Sequence, residues 1–335
     1  MTLPFASADR RIRALRPPKT RVDPFQPLGV FVEQERRPTG PESVLTVLLA
    51  GSECPFSCSF CDLWRTTLDV PTPPGALPWQ LGTALAQARR QGQPVRRVKL
   101  YNAGSFFDPR AVPPRDWKAL AGLLAPFRGV TVECHAKLVG PGCRDFANLL
   151  AGRLEVAIGL ESIHPQALRQ LNKKMTLEDF DFAAFSVREA NLDLRVFVLV
   201  GTPFVPPADA VHWAVRSVEY ALERGATVVS LIPVRGGNGE LERLAAEGSF
   251  HAPTLAQLEA ALRESLHGQR GVVIADLWDA ERFQDCPACD PERMERIRRM
   301  NATGRPEPAV ACEVCRDAPW RSANARLPES PTSHR

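Results

Sequence analysis

Residues 44–62 read Val44-Leu45-Thr46-Val47-Leu48-Leu49-Ala50, then at once Gly51-Ser52-Glu53-Cys54-Pro55-Phe56-Ser57-Cys58-Ser59-Phe60-Cys61-Asp62. The first half is apolar and rich in branched side chains, which predicts a buried strand; the second is a loop leaving its C-terminal end. Three thiols in C-x3-C-x2-C spacing are close enough to grip one small inorganic centre. Sulfur ligands favour zinc or iron–sulfur clusters. A structural zinc wants four protein ligands, and this loop offers three. A cubane cluster held by Cys54, Cys58 and Cys61 keeps one iron for a ligand that is not protein. The plainer alternatives are a zinc loop with a distant fourth ligand, or three unrelated cysteines.

Working outward, strand and helix patterns alternate. Strands are expected over residues 44–50, 98–102, 129–135, 154–159, 194–200 and 227–234, with a further candidate at 271–277. Helical patterns over 79–91, 116–124, 144–151, 176–190, 208–224 and 255–266 separate them or follow the last. Repeated strand–helix units imply parallel strands with right-handed crossovers. The expected class is α/β, a partial (β/α)6-type TIM barrel, with a doubly wound sheet as the competing architecture. In both, chemistry belongs at the C-terminal ends of the strands, where the cysteine loop lies.

The 335 residues suffice for one large domain and a small appendage. Domains are expected at 1–41 (a basic N-terminal arm), 42–280 (the barrel), 281–321 (a four-cysteine module) and 322–335 (a disordered polar tail). The arm carries Arg10, Arg11, Arg13, Arg16, Lys19 and Arg21, which suit a solvated wrap around the domain or a contact to RNA phosphates. A net charge of +4 is mild and neither demands nor excludes nucleic acid. No stretch has the 18 or more apolar residues that span a bilayer, and the N-terminus does not read as a signal peptide. A cytoplasmic location is therefore expected, where cysteines more often bind metal or react than form disulfides.

The cysteine loop, with Phe60 as the aromatic residue before its last cysteine, resembles the signature of the radical S-adenosylmethionine (SAM) superfamily. That resemblance implies a [4Fe-4S] cluster on Cys54, Cys58 and Cys61, with SAM chelating the free iron through its amino and carboxylate groups. An electron from a reductant such as flavodoxin or ferredoxin then breaks a carbon–sulfur bond, and the deoxyadenosyl radical takes hydrogen from a substrate. Asn102-Ala103-Gly104-Ser105 resembles by position the Gly-Gly-Glu segment that receives the SAM amino group. Its acid is missing here, leaving main-chain atoms and short side chains.

The run Gly159-Leu160-Glu161-Ser162 and then Leu168-Arg169-Gln170-Leu171-Asn172-Lys173-Lys174-Met175-Thr176 narrows the resemblance. It is similar to the branch holding the elongator acetyltransferase subunit, the tRNA methylthiotransferases and the oxygen-independent coproporphyrinogen oxidases. A compact core without a methylthiotransferase-type RNA domain also resembles the family of the radical subunit of archaeosine synthase. The resemblance implies ribose contacts for Glu161 or Ser162, the Gly-x-Pro turn at Gly201, and an adenine cover in Ile232. Lys173 stands where the branch has an arginine for the SAM carboxylate, keeping the charge but losing the bidentate fork. Phe197 stands where some relatives hold ribose with an acid. The plain reading of the polar positions is a solvated strand end. His135 with Lys137 reads either as substrate-facing or as a hydrogen-bonded wall, and Cys134 and Cys143 read as core residues.

Cys286-x2-Cys289 and Cys312-x2-Cys315 enclose 22 residues and form a tetrathiolate signature. Zinc would staple a tail that lacks its own core, and a second iron–sulfur cluster is the alternative. Three functions follow. The first is a radical SAM enzyme acting on a tRNA nucleoside. The second is one acting on a small molecule or peptide, since fold does not set substrate. The third is a non-catalytic iron–sulfur or zinc protein.

Overall fold

The apolar alternation of the strands is satisfied from outside the sheet. The computed structural model describes residues 5–92, 94–268 and 271–315, and the tail expected over 322–335 lies outside them. In chain order the elements are α1 (Phe5–Ala14), β1 (Gly29–Arg37), β2 (Gly40–Leu48), α2 (Ala76–Arg90), β3 (Arg97–Tyr101) and α3 (Trp117–Leu124). Then come β4 (Gly129–Cys134), α4 (Pro141–Ala147), β5 (Arg153–Glu161), α5 (Pro165–Gln170), α6 (Leu177–Glu189), β6 (Asp193–Val200) and α7 (Ala210–Glu223). The chain goes on through β7 (Val228–Pro233), α8 (Glu240–Ala246), α9 (Leu255–Ser265), β8 (Val272–Ala275) and α10 (Asp290–Thr303). Among the described residues the strands form one sheet in the order of the sequence, with β2 to β8 parallel and β1 antiparallel to β2.

This nearly closed barrel matches the expected α/β class. Leu45, Val47, Val98, Leu100, Val130, Val132, Val156, Ile158, Val196, Val198, Val229 and Leu231 pack outward, sharing one core with Leu77, Leu81, Phe180, Val218 and Leu258 of the helices. Each such side chain contributes roughly 1.5–3 kcal/mol by leaving water. Helix starts are set locally. Thr176 caps α6 and Thr254 caps α9, each with a reciprocal bond from the third residue of the helix. No described helix is long and apolar enough to cross a membrane.

The candidate strand at 271–277 is present as β8. One feature differs from the sequence reading: residues 1–41, read as an arm, supply α1 and β1. The basic residues of this segment hold the cysteine loop and its neighbours. Arg13 Nε donates to Ser57 Oγ at 2.9 Å, Arg16 pairs with Glu53 at 2.7 Å, and Lys19 bridges Glu53 and Asp69. Arg11 reaches Glu240 at 3.0 Å.

β1 escaped the sequence reading because its inward face is charged. Glu35 and Arg37 point into the barrel, where Arg195 Nη2 meets Glu35 at 2.5 Å and its Nε meets Glu155 at 2.9 Å. Arg37 Nη2 meets the other Glu155 oxygen at 2.6 Å, and Lys99 bridges Glu33 and Glu35. Three carboxylates thus face three cations inside the barrel. Burial alone would raise the Glu155 carboxyl, but Arg195 and Arg37 hold it down at about 2. Removing one partner from such a network leaves uncompensated buried charge. Arg195→Met is expected to lower unfolding stability by about 3–5 kcal/mol in urea titrations. A change inside about 1 kcal/mol would mean that the ions carry no net stabilisation.

The seam between β1 and β8, the two ends of the sheet, is closed by side chains and by α10. Arg36 Nη2 donates to Val273 O at 2.7 Å and its Nε to Asn301 O at 3.0 Å. The Asn301 amide pairs with the backbone of Ala275 in both directions, at 2.8 Å each, and so occupies the free edge of β8.

Candidate active site

The loop from Cys54 to Cys61 leaves β2 and is pinned through its carbonyls. Ser57 O accepts from Asn172 Nδ2 at 2.7 Å, Ser59 O from Asn238 Nδ2 at 2.9 Å, and Cys61 O from both Asn238 Nδ2 and Trp64 Nε1. Ser59 N donates to Leu171 O at 2.9 Å. The loop is therefore held by segments after β5 and β7 as well as by α1. Cys54, Cys58, Phe60 and Cys61 then line one cavity of about 840 Å³ inside the barrel mouth. Burial pushes all three thiols up, Cys58 to about 12. Thiolates in such a place need a cation among them.

Of the other expected site residues, Ala103, Gly104, Glu161, Lys173 and Ile232 share this wall. Asn102, Ser105, Ser162 and Gly201 are not among the described residues lining it. Asn102 is fully buried, and its side-chain amide makes no hydrogen bond among the described residues. Ser105 Oγ donates to Cys134 Sγ and accepts from His135 N, Ser162 Oγ accepts from His164 N, and Gly201 turns beneath Pro253 at φ +74°. His135 is a wall residue. Its Nδ1 accepts from Lys137 N, which leaves Nε2 to donate to Lys173 O at 2.9 Å, and Phe56 stacks on its ring. Burial, with Lys173 close by, lowers its pKa to about 3, so the ring is neutral.

Lys173 Nζ lies 2.5 Å from Glu161 Oε1. Burial would lower the lysine, but Glu161 and the sulfurs of Cys58 and Cys54 outweigh it and keep the ammonium charged. The local backbone is unusual. Glu161, Asn172 and Lys174 all have positive φ, at 68°, 54° and 59°. Gly159 is required beneath them, because a Cβ there would sit 2.0 Å from Glu161 Oε1 and 2.7 Å from Lys173 Nζ.

One residue of the wall was passed over in the sequence. Glu133, at the end of β4, accepts from Asn102 N at 2.7 Å and from Gly104 N at 3.4 Å. Gly104 in turn lies against Cys54, where an added Cβ would stand 3.5 Å from the cysteine Cβ. Burial raises the Glu133 carboxyl to about 7 against the pull of those backbone N–H groups. An acid from the neighbouring strand thus lies against the small-residue turn after β3. The signal in the sequence was the alternation Val130-Thr131-Val132-Glu133, which turns the glutamate inward.

No family model matches this sequence. One stretch of 173 residues is 22% identical to an uncharacterized protein of Methanocaldococcus jannaschii, covering 50% of this chain and 47% of that one. Over 276 residues the chain is 24% identical to the archaeosine synthase subunit beta of Methanosarcina acetivorans, covering 78% and 79% of the two. Among solved structures, the Elp3 of Methanocaldococcus infernus with residues 1–46 deleted superposes with a TM-score of 0.52 at 15% identity, over 69% of this chain and 62% of that one. The likeness is one of fold, which this chain shares with that Elp3. The chain spans less than two thirds of the first relative and of this structural neighbour.

The residues present suit the cluster and the SAM that the sequence resemblance implies. Three cysteines, the Lys173 ammonium and the carboxyl groups of Glu133 and Glu161 edge a single cavity, and the glycine loop lies against Cys54. The C-terminal cysteines form a different kind of site. Cys286 and Cys312 sulfurs are 3.8 Å apart, Cys289 and Cys315 sulfurs 3.7 Å, and all four lie within 4.8 Å of one another.

Proposed function

We propose that this protein cleaves SAM reductively and acts on a nucleoside within tRNA. The observation that carries the first part is the convergence of Cys54, Cys58, Cys61, Gly104, Glu133 and Lys173 on one cavity. Cys54, Cys58 and Cys61 would hold a [4Fe-4S] cluster, which when bound would supply the electron for splitting the SAM sulfonium, drawn from a flavodoxin- or ferredoxin-type reductant. The protein's part is to hold the methionine half of SAM. Lys173 is placed for its carboxylate, Glu133 for its ammonium, and the backbone of Ala103 and Gly104 lies beside both. Ile232 and Phe60 offer apolar cover for the adenine. The tRNA substrate is supported by the alignment with archaeosine synthase subunit beta over 78% of this chain.

At the C-terminal cysteines we propose zinc. With Zn–S bonds of about 2.3 Å, a tetrahedral site separates its sulfurs by about 3.8 Å, which agrees with the spacings above. A four-iron cubane carries its cysteines on outward-pointing corners and needs them much further apart.

The test is anaerobic reconstitution with iron and sulfide, reduction with dithionite, and assay of deoxyadenosine, alongside tRNA binding at about 50 mM salt. Absence of deoxyadenosine sinks the chemistry, and absence of tRNA affinity sinks the substrate. Within this scheme Glu133→Gln removes a charge-assisted contact worth about 1.5–3 kcal/mol. SAM affinity is expected to fall roughly tenfold or more, as read by equilibrium dialysis. Unchanged affinity would take Glu133 out of the SAM site.

A further inference from the structure

On the seam side of the cavity two aromatic rings are left unused by the SAM reading. Phe31 of β1 and Trp278, just beyond β8, meet edge to face with centroids 4.6 Å apart and planes at 85°. Both line the cavity that holds the cysteines, yet 38% of Phe31 and 45% of Trp278 remain exposed. A barrel mouth that only needed sealing would bury them. The backbone that carries the indole is fixed. Trp278 N donates to Asp276 Oδ1 at 3.0 Å, while the Arg235 guanidinium holds Asp276 Oδ2 at 2.8 Å and also the Trp278 carbonyl. A rigid, wet indole beside polar groups is what a planar heterocycle stacks on at small entropic cost. Exposed arginines stand around it. Arg282 reaches Gly236 O, and Arg298 of α10, paired with Glu295, lines the same cavity.

We infer that Trp278, braced by Phe31, is the stacking platform for a nucleobase turned out of an RNA strand, with the nearby arginines placed for its phosphates. This rests on the function proposed above and deepens it, by assigning the seam side of the cavity to the substrate. A base stacked there lies in one continuous cavity with the cysteine corner, so the target ring and SAM share a single chamber.

The experiment titrates the reconstituted full chain with a stem-loop RNA carrying one 2-aminopurine in its loop, at about 50 mM salt. Wild type is expected to quench the probe. Trp278→Ala should weaken binding roughly tenfold, in line with about 1–3 kcal/mol for a stacked base, whereas Trp278→Phe keeps most of the affinity. Equal affinity of wild type and Trp278→Ala would overturn the assignment, as would absence of RNA binding by wild type. Free GMP binding as tightly as the stem-loop would overturn the RNA source. A matching loss of SAM affinity in Trp278→Ala would give the indole to the SAM adenine instead. Failure of the radical SAM reading is separately visible as absence of deoxyadenosine from reduced wild type, which the RNA titration does not depend on.

Discussion

Replacing Cys58 with alanine is expected to reduce deoxyadenosine formation to the background of metal-free protein, with the barrel still folded. The two halves of this expectation have different causes. Cys58 stands beside Lys173 in the same cavity as Cys54 and Cys61. With its thiol gone, two sulfurs remain, too few to hold a cubane while leaving one iron for SAM. The fold does not depend on that thiol. The loop is tied by the carbonyls of Ser57, Ser59 and Cys61 to Asn172, Asn238 and Trp64, bonds that an alanine at position 58 leaves untouched. Iron content should fall together with activity, and far-ultraviolet circular dichroism should match wild type. Cleavage that survives in Cys58→Ala would mean that the three cysteines do not form one site. Unfolding of the variant would mean that the loop is a structural element first.

What the sequence discloses here follows the range of the interactions. The outward faces of β2 to β7 pack on helices adjacent in the chain, so their apolar residues carry a local pattern, and the barrel is legible from it. β1 has no such pattern. Its inward glutamates and arginine find their counterions on β3, β5 and β6, between 60 and 160 positions away, so Glu33, Glu35 and Arg37 read as a solvated arm. The same rule divides the site. Cys54, Cys58 and Cys61 announce themselves by spacing, and Gly104 by its place after a strand. The alternation around Glu133 turns it inward, but its bonds to Asn102 and Gly104, about thirty residues upstream, leave no local mark. Asn238 is equally silent, because its purpose is to hold a loop about 180 residues earlier. Asn102 and Ser105 show the converse, as the small polar turn was legible but the direction of each side chain was not.

Loss of the zinc proposed for the C-terminal cysteines, by chelation or by Cys286→Ala, is expected to free α10 from the barrel seam without abolishing SAM cleavage. α10 starts at Asp290, directly after Cys289, and Asp290 accepts from the backbone N–H groups of Asp285 and Cys286 at 2.6 and 2.7 Å. Arg293 donates to Cys289 Sγ at 3.4 Å and pairs with Glu259 of α9, which Arg296 also holds. The four-cysteine cluster is therefore the N-terminal anchor of α10, and Asn301, bonded to Ala275, is its anchor at the other end. Without the metal, four sulfurs packed within 4.8 Å lose the cation that holds them together, and the guanidinium of Arg293 loses its thiolate partner. Hydrogen exchange is the discriminating measurement. Amides of α10 and of Ala275 should exchange faster by at least an order of magnitude, while those of β4 to β6 stay protected. One zinc per chain, lost together with that protection, fits the assignment. Equal protection of α10 with and without metal would show that the ion pairs to Glu259 suffice. Loss of protection throughout the barrel would instead make α10 part of the core rather than a stapled cover over the seam.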